Sequence, residues 1–210
     1  MIKKNWKSLL IASVVILLPI LAGLILWDQL PEQIPYHFNI SGDVDGWASK
    51  TFAVLAMPTI LLAAHWLCIL GTCADPKKAN HADKVLHLIF WIIPVLSVLL
   101  HAIIYATALG KDVPVETVMP IFMGLVFAII GNYMPKCKQN YTIGIKIPWT
   151  LNSEENWNKT HRFAGRLWLI CGLVIMLTGF FGGFWVFLPV CLVMVLVPIL
   201  YSYILHRKGI

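Results

Sequence analysis

The chain has 210 residues, of which 59% are apolar and only 12% charged, and it carries a net charge of +6. A soluble domain has roughly twice that share of charge, and too few polar residues remain to cover large buried helices in water, so a soluble fold is excluded and an integral membrane protein is left. The basic surplus lies on the flanks of apolar segments and forms no separate stripe, which speaks against direct nucleic-acid binding.

Five stretches hold no Asp, Glu, Lys or Arg: Ser8–Trp27, Thr51–Ala74, Val85–Gly110, Thr117–Pro135 and Leu167–His206. A spanning helix needs about 20 mostly apolar residues. The first four stretches fit one span each, and the fifth, broken at Gly182-Gly183, fits a tight pair. An all-α membrane protein of six transmembrane helices is predicted. The first helix, from about Trp6 to Trp27, is read as a retained span, because its apolar run exceeds a signal-peptide core and no small-x-small cleavage pattern follows. The loop 28–50 comes next. Pro31 and Pro35 exclude a helix there, Ile34–Asn39 suits a short extended segment, and Ser41-Gly42-Asp43 and Asp45-Gly46 are turn signals, so a short strand or hairpin is expected.

The second span covers about Phe52–Thr72, the third Val85–Leu109 and the fourth Thr117–Met134. A loop is expected from Pro135 to about Leu151. Asn152 or Ser153 then serves as an N-cap, with Glu155 in the capping-box position for Asn152, and the helix runs through Trp157, Arg162 and Arg166 into the fifth span, near Phe181. The sixth runs from about Phe184 to Leu205. Three segments of one membrane domain follow: 1–72, a pair of spans with its loop; 73–134, a central pair; and 135–210, a polar loop with a helical hairpin.

Lys and Arg set the orientation. With the N-terminus cytoplasmic, every basic residue except Lys50 and Lys111 lies inside. Both termini are therefore expected in the cytoplasm, with 28–50 outside and 135–152 inside. The five cysteines fall in spans or on the reducing side, and suit packing better than disulfides.

Chemistry is concentrated in the two polar loops. The spans hold no acid, Lys or Arg, which weakens an ion-coupled transporter. His65 and His101 are read as neutral imidazoles bonded to a neighbouring helix. In the first loop, His37, Asp43 and Asp45 could supply metal ligands, and Asp43-x-Asp45-Gly46 resembles a fragment of a calcium loop, but the remaining ligands and the closing Glu are absent, and no metal or cofactor is expected. Tyr36, Phe38 and Trp47 offer aromatic surface on which an apolar peptide could dock. In the second loop, His161, Glu154, Glu155 and Cys137 match no catalytic signature, and no catalytic residue is assigned. Lipid headgroups account for Trp149, Trp157, Lys159, Arg162 and Arg166. They account less well for Asn140, Tyr141, Gly144, Pro148, Thr150, Thr160 and His161, which read as a shaped loop packed under the bundle.

The strings Pro135-Lys136, Asn140-Tyr141-Thr142-Ile143-Gly144-Ile145-Lys146, Pro148-Trp149-Thr150-Leu151, Ser153-Glu154-Glu155, Trp157, Lys159-Thr160-His161-Arg162 and Gly165-Arg166 resemble the signature of one bacterial family. These are the immunity proteins of the sporulation-delaying-protein toxin system. The segment Leu30-Pro31, Ile34-Pro35, His37-Phe38-Asn39, Gly42, Asp45-Gly46-Trp47 and Lys50 resembles the domain that precedes the signature in that family. The resemblance implies a six-span protein of the bacterial cell membrane. Such a protein guards against a secreted, hydrophobic, membrane-collapsing peptide and, in the best-studied type, retains a cytoplasmic DNA-binding repressor at the membrane. It implies no enzymatic step.

On this reading Tyr36, His37, Phe38, Asn39, Asp45 and Trp47 would meet the toxin. Asn140, Tyr141, Gly144, Lys146, Pro148, Trp149, Thr150, Glu155, Trp157, Lys159, Thr160, His161, Arg162 and Arg166 would organise the inner loop or meet a partner. The competing readings are a small exporter of a hydrophobic ligand, suggested by the span prolines, and a membrane enzyme using His161 with the Glu pair.

Overall fold

The computed structural model describes residues 1–39, 41–181 and 184–210. The break expected at Gly182-Gly183 lies outside the described residues. Among the described residues, six helices are long and apolar enough to cross a membrane, so the chain is a multi-pass membrane protein. The elements run α1 (Ile2–Ile25), β1 (Gln33–Phe38), β2 (Val44–Ser49), α2 (Met57–Ala74), α3 (Asp83–Ala108), α4 (Val115–Tyr133), α5 (Pro148–Asn152), α6 (Glu154–Gly179) and α7 (Phe184–Arg207). A π-helical turn, Phe52–Ala56, leads into α2. Two compact units form: Met1–Cys73 with Ile89–Val115, and Ala74–Leu88 with Glu116–Ile210.

In the first unit, polar side chains tie apolar helices together. Ser97 donates to the carbonyl of Ile16 at 2.9 Å, and the Tyr105 hydroxyl donates to that of Pro19 at 3.0 Å. Each bond satisfies a group that has no water to turn to inside a bilayer. Gly23 permits the close approach: a Cβ there would stand 2.6 Å from Val54 Cγ1 and 2.7 Å from the Tyr105 hydroxyl. Leu30 and Ile34 pack on Ala53, Val54, Ile104 and Tyr105.

β1 and β2 pair antiparallel, Gln33 opposite Ser49 and Pro35 opposite Trp47, with irregularities around His37. Lys50 fastens the sheet. It is 7% exposed, its ammonium donates to the Trp27 carbonyl at 3.1 Å and pairs with Glu32 at 3.0 Å, and its amide donates to the Glu32 carbonyl at 2.9 Å. His101 Nδ1 meets the Ser97 carbonyl at 2.8 Å. His65 is fully buried and lies edge-on to Trp66. The bond to a neighbouring helix expected of His65 is not found among the described residues.

In the second unit, α4 and α6 cross backbone to backbone. A Cβ on Gly131 would lie 2.5 Å from the Leu169 amide nitrogen, and one on Gly124 would lie 2.5 Å from the Gly172 carbonyl oxygen. Gly165 and Gly172 return the contact against Gly131 and Ala128. Small residues allow this approach, which is a main source of helix affinity in lipid. On α6, Trp168 donates to the Met194 carbonyl of α7 at 2.9 Å, and Phe163 stacks on Tyr201 at 4.4 Å.

Two local features refine the expectations. The N-cap is Ser153, whose hydroxyl accepts the Asn156 amide at 3.1 Å. The segment expected as loop to about Leu151 contains the short helix α5. Pro148 starts it, where a missing amide does no harm, and Thr150 Oγ1 accepts the Ile147 amide at 3.1 Å.

A buried polar loop as the candidate functional site

Residues 137–152 form a loop whose polar groups are bonded inward. Asn140 is 2% exposed. Its Oδ1 accepts the amides of Thr142 and Ile143 at 2.9 and 2.7 Å, while its Nδ2 donates to the carbonyls of Lys138 and Ile143. Asn is suited to this because its short amide both donates and accepts against nearby backbone. Gln139 Nε2 reaches the carbonyls of Thr150 and Leu151 at 2.9 and 3.0 Å.

Gly144 turns the chain with φ +116°, over the rings of Trp157 and His161. These rings stack at 4.0 Å. His161 Nδ1 faces the Trp157 carbonyl at 2.8 Å and Nε2 accepts the Ile145 amide at 3.0 Å, the pattern of a neutral Nδ1–H tautomer. Trp157 Nε1 donates to the Cys137 carbonyl at 2.7 Å. Burial pushes the Cys137 thiol up to about 11, which favours the protonated thiol near neutral pH.

The turn between α2 and α3 grips the same loop. Asp75, 2% exposed, accepts from the Lys77 amide at 2.7 Å, the Tyr141 amide at 2.9 Å and the Thr142 hydroxyl at 2.8 Å, with His81 Nε2 at 3.1 Å. Burial alone would raise its pKa. The bonds from Lys77, Thr142, Tyr141 and His81 outweigh burial and hold the carboxyl below its usual value. Asn80 Nδ2 donates to the Gln139 carbonyl at 2.7 Å. Beneath, Asn156 donates to the Ser202 and Ile210 carbonyls at 3.0 and 3.1 Å, and its Oδ1 accepts from Thr160 and Ser202.

The residues expected at this site divide into two sets. Asn140, Thr150, Trp157, Thr160 and His161 are buried and bonded to one another's backbone or neighbours. Trp149 is half-buried, stacked on His206 at 5.9 Å and against Tyr203. Tyr141, Lys146, Pro148, Glu155, Arg162 and Arg166 are exposed. Lys146 donates to the Thr142 carbonyl, and Lys159 pairs with Glu155 at 2.7 Å. Asp75, His81, Asn80, Gln139 and Ser202 belong to the network although sequence reading did not place them there. In the sequence each is simply a polar side chain, with no local pattern that marks it.

The sheet of the first unit holds the other expected set. Tyr36, His37, Asn39, Asp45 and Trp47 are exposed and Phe38 is half-buried. His37 Nδ1 and Asp45 Oδ1 lie 2.5 Å apart, and Asn39 Oδ1 accepts the amides of Ser41 and Asp43, both at 2.9 Å. Turn-making thus occupies Asn39, and Asp43 bonds back to its side chain. Among the described residues, no three His, Cys, Asp or Glu side chains are grouped to hold a metal.

Comparison with known proteins adds three findings. The description "SdpI/YfhL protein family" matches residues 136–202, and a domain of unknown function (DUF1648) matches residues 14–62. The "Immunity protein SdpI" of Bacillus subtilis (strain 168) is 28% identical over 199 residues, covering 93% of this chain and 92% of that protein. No solved structure matches the chain. The matched C-terminal segment contains the loop built on Asn140, Gly144 and His161, and it is this segment that is similar to the SdpI/YfhL protein family.

Proposed function

We propose that this protein is a non-enzymatic membrane immunity protein that protects its cell from a secreted hydrophobic peptide toxin. The observation that carries the reading is the similarity to an immunity protein along 93% of the chain. The chemistry agrees with it. His161, the imidazole at the centre of the loop, has both ring nitrogens engaged by backbone, so it serves to hold the loop and offers no unengaged nitrogen as a general base.

In this reading both termini and residues 135–152 are cytoplasmic, as the distribution of Lys and Arg favours. The sheet faces outward and receives the toxin through Tyr36, His37, Phe38, Asn39, Asp45 and Trp47. The loop, through exposed Tyr141, Lys146 and Pro148, meets a cytoplasmic DNA-binding repressor and withholds it from DNA when toxin is bound. Toxin outside changes the loop inside only if the protein has two arrangements that differ in toxin affinity.

The test is survival. The chain is expressed in a Gram-positive strain lacking its own immunity gene, and the secreted toxic peptide is added. Empty vector and the variants Trp149→Ala and His161→Ala run beside it. Survival of cells with the wild type alone is expected. Death of those cells, at confirmed membrane expression, would reject protection from that peptide and favour export of another hydrophobic ligand.

A further inference from the structure

We propose that Arg162 and Arg166 form a clamp for the phosphate of an anionic phospholipid, whose acyl chains lie along the same face of α6. The argument begins with helical spacing. Residues 162, 166, 170, 173 and 177 recur at intervals of four and three, so they share one helix face. Ile170, Leu173 and Leu177 are 58%, 42% and 57% exposed. In a spanning helix such an apolar, uncovered stripe faces lipid tails. Arg162 and Arg166, both exposed, continue that stripe.

The depth fits a headgroup. Arg166 is the last charged residue before a run of uncharged residues that reaches His206. At 1.5 Å per residue, its Cα stands about 6 Å along the axis from Ile170 and that of Arg162 about 12 Å. A flexible side chain at that height reaches the phosphate of a lipid whose tails cover Ile170 and Leu173.

Charge and geometry select the ligand. Neither arginine has an ion pair or hydrogen bond to protein among the described residues. The nearest acid on the same helix face, Glu155, is taken by Lys159 at 2.7 Å. A guanidinium offers a planar fork that matches two phosphate oxygens, and two of them one turn apart suit a headgroup with net negative charge better than a zwitterion.

The experiment uses the full chain in detergent, titrated with phosphatidylglycerol or phosphatidylcholine and read by native mass spectrometry. Retention of phosphatidylglycerol should exceed that of phosphatidylcholine by about tenfold or more, since two cations add their attraction for a headgroup of net negative charge. Arg162→Gln/Arg166→Gln should lose most of that preference. Arg162→Lys/Arg166→Lys should keep only part of it, because the charge remains and the fork does not. Lys78→Gln/Lys208→Gln, which removes two exposed cations elsewhere in the same unit, should keep it all. Inorganic phosphate at millimolar concentration should not displace the lipid, because the tails share the binding. Circular dichroism establishes that each variant is folded. Unchanged preference in the folded Arg162→Gln/Arg166→Gln variant overturns the proposal. So does an equal loss in the Lys78→Gln/Lys208→Gln variant, which would mean diffuse attraction. Unchanged lipid retention with lost toxin protection would assign the arginines to a protein partner instead.

Discussion

Gly144 lies against the imidazole of His161 so closely that a Cβ at Gly144 would overlap Nε2. The same position has φ +116°, a conformation L side chains rarely adopt. Two independent penalties therefore fall on Gly144→Ala: backbone strain of about 1–3 kcal/mol, and displacement of the ring that accepts the Ile145 amide. The variant should lose at least about 2 kcal/mol of loop stability. Limited trypsin digestion reads this directly, since Lys138 and Lys146 flank the turn. Faster cleavage at both is expected, with intact membrane insertion. Wild-type cleavage rates would show that the loop tolerates the side chain.

The crossing of α4 and α6 gives a second expectation. Gly131 and Gly172 face backbone atoms at 2.5 Å from an added Cβ, and backbone cannot rotate aside as a side chain can. Gly131→Leu or Gly172→Leu should force the helices apart and destabilise the protein by about 3 kcal/mol, the upper range for overpacking. Gly71→Ala is the control, because nothing lies within 4 Å of its added Cβ. Thermal unfolding in detergent should fall steeply for the first two and stay level or rise slightly for the third.

Parts of this architecture are legible in the sequence because they depend on composition alone. Charge-free runs of the right length give the six helices, and Ser153 stands where the cap is needed. The spacing of Gly165, Gly172 and Gly179 against Gly124 and Gly131 is also on view in the sequence, yet small residues are common in spans, and spacing on one helix does not name the helix it meets. The loop's aromatic and Gly positions announce a shaped segment. The grip of Asp75 on Tyr141 and Thr142 does not show, because it joins residues 66 and 67 positions apart and no local pattern encodes the pairing. The helix α5 is hidden for a different reason: a five-residue helix carries too little periodicity to be read.

Asp75 makes the second unit acid-sensitive in a defined direction. Its folded-state carboxyl lies below its usual value of 3.8 because amides and a hydroxyl bond the charged form, against the opposing effect of burial. The carboxylate therefore stabilises the fold fully above the unfolded value, and that contribution is lost as pH falls through the folded one. Protease sensitivity of residues 137–147 should stay flat from neutrality to about pH 5 and rise below pH 4. Asp75→Asn, uncharged at every pH, should be sensitive throughout and show no such rise. Asp75→Ala should cost about 3–5 kcal/mol, since it strands the buried donors that face it. Identical acid profiles for wild type and Asp75→Asn would contradict this account.

The sheet of the first unit allows recognition to be separated from folding. Lys50 is buried and bonded to Trp27 and Glu32, so Lys50→Ala should loosen the sheet and lower the unfolding temperature, at about 2–3 kcal/mol for the lost charged hydrogen bonds. Glu32→Ala removes only the pair's outer partner, whose side chain is 88% exposed; such pairs contribute less than about 1 kcal/mol, and the fold should hardly notice. Tyr36→Ala and Trp47→Ala delete rings that are 44% and 57% exposed, so the folded protein should again be unchanged. Under the immunity reading these two variants should nevertheless lose toxin protection, with peptide affinity falling by about tenfold or more per ring, as buried aromatic anchors do. Survival assays beside thermal unfolding separate the outcomes: Lys50→Ala should fail in both, Glu32→Ala in neither, and the aromatic pair in survival alone. Full protection by Tyr36→Ala/Trp47→Ala at normal membrane levels would remove the sheet from toxin recognition.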